Sequence, residues 1–341
     1  MNFEAIETAF ELLLENVQTI ENDLGTHAYD ALIEQNSYYL GAEVANEVII
    51  KNNEKLRALN LSKEEWRRAF QFLFIKLGQL EALQANHQFT PDAIGFIILY
   101  LLEGLTKDDQ LDVLEIGSGT GNLAETLLNN SQKNLNYMGM EVDDLLIDLS
   151  ASIADVVNSS AVYIQEDAVR PHILKESDVI ISDLPVGYYP NDEIASRFKL
   201  AATGEHTYAH HLLMEQSLKY LKKDGIAILL APTNLLTSPQ SDLLKKWLSG
   251  YADIIAVITL PEAAFGNKHN MKSIFVLKKQ TKNAPETFVY PLSDLQNPEV
   301  LKDFTENFQN WKSDNCHFKL ELPALIAIVF VISHLFVKRF Q

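Results

Sequence analysis

The chain has 341 residues, with 46 acidic against 28 basic side chains and a formal charge of −18. Such an excess of negative charge repels a polyanion unless cations gather on one face, which argues against unaided, non-specific nucleic-acid binding. The lone cysteine, Cys316, excludes an intramolecular disulfide and a cysteine-built zinc site and suits a reducing cytoplasm.

The N-terminus, Met-Asn-Phe-Glu-Ala-Ile-Glu, puts acids where an export signal needs positive charge, so a cytoplasmic location is expected. Residues 1–86 read as a helical domain. Phe3, Ile6, Phe10, Leu13 and Val17 recur at three- and four-residue steps, as do Trp66, Phe70, Leu73 and Leu77. Ser62 with Glu65 three positions on forms a capping-box pattern. The neighbouring Lys63, Arg67 and Arg68 read as a solvated helix face.

From Leu111 the pattern becomes one of alternating strands and helices. Strands are expected over Leu111–Ile116, Asn136–Glu141, Ala161–Gln165, Val179–Ser182, Ile226–Ala231, Ile254–Leu260 and Ser273–Lys278. Helical patterns lie between most of them, at Leu123–Leu128, Leu145–Val157, Leu212–Leu221 and Asp242–Leu248. The alternation implies an α/β domain over 87–316 with a doubly wound, mostly parallel seven-stranded sheet. A loop with Pro261 and Gly266 joins the last two strands without a crossover helix, so the final strand is expected to be antiparallel. The tail, 317–341, contains a 14-residue apolar run, Ala324 to Val337, which falls short of the roughly 20 residues of a spanning helix.

Three glycines on alternate positions follow the first of these strands, in Glu115-Ile-Gly117-Ser118-Gly119-Thr-Gly121-Asn122-Leu123. Glycine there permits left-handed backbone and close ligand approach, so the stretch is either an ordinary tight turn or a nucleotide-sized site. Glu141 closes the second strand twenty residues after Gly121, where an acid can accept from ribose hydroxyls. Asp167, at the end of the third, can accept from an adenine amino group while the Ala168 N–H donates to the ring. Glu115 beside the loop would repel a pyrophosphate and suits a sulfonium or an α-amino group. Together these residues resemble the cofactor site of class I S-adenosylmethionine-dependent methyltransferases. The resemblance implies S-adenosyl-L-methionine as cofactor, held by Glu115, Gly117, Ser118, Gly119, Gly121, Asn122 and Leu123, by Glu141 and Val142, and by Asp167 and Ala168.

The fourth strand ends in Asp183-Leu184-Pro185-Val186-Gly187-Tyr188-Tyr189-Pro190, which resembles motif IV of the amino-methyltransferases, [DNS]-P-P-[YFW]. In those families the acidic or amide side chain and the next carbonyl accept hydrogen bonds from the target nitrogen. The resemblance therefore gives Asp183 and the Leu184 carbonyl those roles, places Pro185 and Tyr188 at the reaction centre, and adds Asp183 to the cofactor site. Two departures stand out: Leu184 replaces the first proline, and Val186 replaces the aromatic that stacks on a flipped base, a place that Tyr188 or Tyr189 would have to swing in to fill. Gln88-Phe89-Thr90-Pro91 resembles the Q-F-x-T-P segment of N6-adenine methyltransferases, particularly the methylation subunit of type I restriction systems, and implies that Phe89, Thr90 and Pro91 pack over the methionine moiety. The resemblance covers roughly 88–280; with the helical N-terminus included, the chain is similar to the YtxK-like group of bacterial methyltransferases.

No recognition module, zinc motif or aromatic-basic groove is visible, and metal ligation has no support. His210 and His211 either line the substrate cleft or form a surface pair, the second being the preferred reading, and Lys268, Lys272, Lys278 and Lys279 either border the cleft or, as preferred, are solvated cations beside the closing strands. The expected function is amino-directed methyl transfer, on adenine N6 in DNA, with DNA recognition supplied by a partner or by the helical domain. The alternatives are an RNA, protein-amide or small-molecule acceptor, or a cofactor-binding protein without catalysis.

Overall fold

The computed structural model describes residues 1–80, 90–172, 174–265 and 271–315. Gln88, Phe89, Lys268, Cys316 and the apolar run 324–337 lie outside the described residues. The described residues fall into two compact units, the first drawn from 1–89, 118–130 and 137–166, the second from 90–117, 131–136 and 167–341.

In the first unit the expected apolar periodicity forms α1 (Phe3–Leu24), α2 (Ala28–Leu40), α3 (Glu47–Ala58) and α4 (Lys63–Leu80). Their ends are capped as the side chains dictate. Asn2 accepts from the Ala5 N–H, and Gly25 closes α1 in the left-handed conformation at φ 62°. The capping box forms: the Ser62 N–H donates to Glu65 Oε2 at 2.9 Å, and the Glu65 N–H donates to Ser62 Oγ at 3.3 Å. A buried polar layer crosses the bundle, with Asn16 Nδ2 donating to Gln35 Oε1 at 2.9 Å and Gln35 Nε2 to Asn53 Oδ1 at 2.7 Å. Such a layer fixes which helix faces meet, because any slip strands buried polar groups.

The same unit holds α6 (Asn122–Asn130), α7 (Asp144–Val157) and β3 (Val162–Gln165). Leu146, Leu149 and Ile153 of α7 share one apolar core with Ile6, Leu13, Leu32 and Phe70. The expected solvated face of α4 is corrected here, since Arg67 and Arg68 are both buried. Glu64 compensates their charge at 2.7 and 3.0 Å, which is the condition for burying a guanidinium. Arg67 Nη1 also donates to Asn122 Oδ1 at 3.1 Å, tying α4 to the first residue of α6.

In the second unit α5 (Asp92–Leu105) is buried along its whole length. The strands are β1 (Gln110–Ile116), β4 (Ser177–Asp183), β5 (Leu221–Pro232), β6 (Ala252–Thr259), β7 (Lys272–Lys279) and β8 (Phe288–Pro291). With β2 (Asn134–Glu141) the sheet runs β3-β2-β1-β4-β5-β7-β6-β8. β4 pairs in parallel with β1 and β5, whereas β7 is antiparallel to both β5 and β6, as expected. Helices α8 (Asp192–Ala195), α9 (Ala209–Tyr220), α10 (Ser241–Tyr251) and α11 (Pro298–Asn315) complete the element order.

The sheet is doubly wound and mostly parallel as expected, but it has eight strands rather than seven. β8 has only four residues, with Phe288 buried and Val289 exposed, too short a pattern to stand out from a loop. Tertiary contacts hold it in place: it pairs in parallel with β6, and Phe288 meets Phe308 of α11 edge-on at 5.4 Å.

Candidate active site

The first unit carries the glycine loop after its first residue. The Gly121 N–H donates to the Ser118 carbonyl and the Ser118 N–H to the Met140 carbonyl, each at 3.0 Å, so the turn is anchored to β2. Gly121 has φ 79°, and a Cβ added there would lie 2.5 Å from Tyr163 Oη and 3.3 Å from Ser150 Cβ. Gly119, also left-handed, faces open space instead. Ser118 is buried, and its Oγ finds no hydrogen-bond partner among the described residues. Glu141 closes the cradle: Oε2 accepts from the Gly119 N–H at 2.9 Å, and Oε1 accepts from the Val142 and Asp143 N–H groups at 2.8 and 3.0 Å. Val142 beside it is exposed, and Leu123 is buried in α6.

The second unit carries Glu115, buried near the end of β1, and Gly117, left-handed at φ 72°. Asp167 Oδ2 accepts from the Tyr189 hydroxyl at 2.6 Å, and Oδ1 accepts from the Val169 N–H at 3.0 Å. Burial first, and then the Asp167 carboxylate, push the Tyr189 phenol up to about 12. The bond ties the Asp183–Pro190 segment to the segment after β3, and Tyr189 is buried rather than free to swing. Ala168 is buried next to Asp167.

Asp183 ends β4. Thr90, just ahead of Pro91 and α5, donates from Oγ1 to Asp183 Oδ2 at 3.0 Å. Lys272 Nζ donates to Asp183 Oδ1 and, at 2.9 Å, to the Leu184 carbonyl. The Leu184 side chain is buried, which leaves its carbonyl as the functional group. The sequence marks Lys272 only as a cation beside the cleft or the closing strand and not as the partner of Asp183, because it lies 89 positions from Asp183 and no local pattern links them.

After Pro185 the segment turns outward, with Val186 48% and Tyr188 55% exposed. Tyr188 stacks on Tyr208 at 4.6 Å and 9°, and Tyr208 stacks on His210 at 4.9 Å and 22°. The expected surface pair of histidines is therefore corrected: His210 and His211 are buried at the start of α9. Burial lowers His210 to about 4, against the opposing effect of a bond to the Pro185 backbone, and lowers His211 to about 3. Pro185 has no N–H and His210 Nδ1 has no partner among the described residues, so Nε2 of a neutral ring donates to the Pro185 carbonyl.

A histidine held neutral in the fold and free to protonate when unfolded contributes stability above its ordinary value of 6.5, and that contribution is lost as pH falls toward the folded value. The protein is thus expected to lose stability below pH 6.5, by up to about 1.4 kcal/mol per pH unit for each such ring. Urea unfolding midpoints at pH 7 and pH 5 check this, and His211→Phe is expected to flatten the difference.

The model of the family described as N-6 DNA methylase matches residues 62–315. The chain is 34% identical over 326 residues to the Bacillus subtilis protein YtxK, which is uncharacterized, covering 91% of this chain and 98% of that one. It is 32% identical to a Listeria monocytogenes structure described as a class I S-adenosylmethionine-dependent methyltransferase, with a TM-score of 0.82, covering 91% and 99% of the two chains. The methyltransferase subunit of a Streptococcus thermophilus type I restriction-modification system shares the fold, with a TM-score of 0.61 at 14% identity over 89% of this chain and 74% of that one. The residues fit the cofactor those proteins imply. Gly117 and Gly119 face open space, Ser118 Oγ is a buried group without a partner among the described residues, and the Glu141 carboxylate is held by backbone donors with acceptor capacity left over. With a family match across most of its length and relatives aligned almost end to end, the chain belongs to the N-6 DNA methylase family and is an S-adenosyl-L-methionine-dependent methyltransferase.

Proposed function

We propose that the protein methylates the exocyclic amine of adenine in DNA, with DNA recognition supplied by a protein partner or by α1–α4. The observation that carries this reading is the convergence of two acceptors, the Asp183 carboxylate and the Leu184 carbonyl, on a single nitrogen, Lys272 Nζ. Acceptors that can grip one nitrogen through two N–H groups are what an –NH2 acceptor needs. They draw the lone pair out of conjugation with the ring, aim it at the methyl group and stabilise positive charge as it develops on nitrogen. Thr90 fixes the other carboxylate oxygen, which leaves Oδ1 for the acceptor.

When bound, S-adenosylmethionine supplies an electrophilic methyl group on a sulfonium. In this reading Thr90 and Pro91 lie along the methionine moiety, and Glu115 faces its cationic groups. The backbone of Gly117 to Leu123 approaches closely, Glu141 takes the ribose, Val142 flanks the adenine, and Asp167 with the Ala168 N–H takes the adenine edge. Tyr188, stacked and exposed, replaces the missing aromatic at Val186 as the platform for the acceptor base. Membership of the family described as N-6 DNA methylase supports DNA as acceptor, and the fold shared with a subunit of a type I restriction-modification system suits a protein partner.

The test is incubation of the full chain with methyl-labelled cofactor and a mixture of cellular DNA, RNA and protein. Label recovered as N6-methyladenine in DNA is the expected result. Label confined to RNA or protein would overturn the DNA assignment, and bound cofactor without transfer to any acceptor would make the chain a binding protein.

A further inference from the structure

Lys272 opens β7 and is far from the solvated cation its sequence context implies. Its side chain is 16% exposed and that of Asp183 23%. Its ammonium takes the Asp183 carboxylate and the Leu184 carbonyl together, so a nitrogen of the protein's own already sits where the acceptor nitrogen is needed. An ammonium has three N–H groups and no lone pair, so this occupant is inert toward methyl transfer as long as it stays protonated.

We propose that Lys272 gates the acceptor subsite: it holds Asp183 and Leu184 until an incoming –NH2 group displaces it. The proposal rests on the amino-directed reading above. Displacement requires an acceptor that replaces both bonds with two N–H groups on one nitrogen, as a nucleobase amine or a primary amide can. A hydroxyl or a secondary amine offers one donor and leaves one of the two acceptors unpaired, at the cost that attends an unsatisfied polar group. The gate thereby selects the class of acceptor. It also sets the charge of the site, because Lys272 neutralises Asp183 at rest, and the cationic sulfonium gains no attraction from that carboxylate until Lys272 leaves.

The cofactor and its product differ by one charge, and that difference provides a test needing no identified acceptor. S-adenosylmethionine and S-adenosylhomocysteine are titrated calorimetrically into the full-length wild type, Lys272→Met and Lys272→Arg. Lys272→Met is expected to raise the preference for the cationic cofactor over the product about fivefold or more. Lys272→Arg, which keeps the charge and the ion pair, is expected to keep the wild-type ratio. An unchanged ratio in Lys272→Met with both molecules bound overturns the gate. So does methylation of Lys272 itself, read as a mass increase on its peptide after incubation with S-adenosylmethionine, which would make it an acceptor. Failure of the wild type to bind either molecule is a different result, which removes the methyl-transfer reading and the gate with it.

Discussion

Asp183→Ala is expected to lower methyl transfer by about two to three orders of magnitude, the usual loss when a preorganised group facing developing charge is removed. The substitution deletes the carboxylate that accepts from the transferring nitrogen and leaves only the Leu184 carbonyl, so the amine is gripped at one point and its lone pair is no longer directed. It also removes the partner of Lys272 and Thr90 Oγ1. Both donors lie at the partly exposed end of β4, where water can replace the carboxylate, so the fold is expected to survive. Asp183→Asn keeps one acceptor oxygen but loses the charge, and an intermediate loss of about tenfold to a hundredfold follows from the greater strength of charge-assisted bonds. Single-turnover rates on the acceptor identified by labelling, with product affinity measured alongside, separate this loss from a loss of cofactor binding. Equal rates in wild type and Asp183→Ala would mean that the carboxylate takes no part in the chemistry.

Gly121→Ala is expected to destabilise the protein by about 2–5 kcal/mol, the sum of a left-handed alanine and an overpacked contact. The backbone at Gly121 has φ 79°, and the new methyl would press on Tyr163 Oη at 2.5 Å and Ser150 Cβ at 3.3 Å. β3 and α7 supply those neighbours, so the loop cannot yield without shifting a strand and a helix. Gly117→Ala meets the same backbone penalty but no neighbour within 4 Å, so about 1–2 kcal/mol is expected there. Combining Gly121→Ala with Tyr163→Phe removes the hydroxyl and should recover only the packing part. Urea unfolding gives all three differences by linear extrapolation. S-adenosylhomocysteine affinity should fall in Gly121→Ala along with stability, because the same turn presents the Gly119 N–H to Glu141.

Much of the molecule is written in short sequence patterns. The glycine loop, the apolar run of β1, the capping box at Ser62 and the acid closing β2 are each legible within about twenty residues, because turn chemistry, strand burial and helix capping are local requirements. The antiparallel place of β7 was legible too, since the loop with Pro261 and Gly266 carries no helical pattern and a parallel return usually needs a crossover helix. β8 was not, because four residues with one buried side chain carry no pattern until β6 and α11 enclose them.

Burial of charge and imidazole likewise escaped the sequence. Arg67 and Arg68 look like a wet helix face until Glu64 and Asn122 are brought to them, and His210 and His211 look like a surface pair until Tyr208 covers them. The sequence by itself pointed to the cofactor, the doubly wound, mostly parallel sheet around the glycine loop and the candidate acceptor atoms at Asp183 and Leu184, all through contiguous motifs. Only the tertiary structure decided what those atoms hold at rest, because Lys272 reaches them across the sheet from a strand 89 positions later, and an ion pair made over that distance leaves no periodicity or spacing to read.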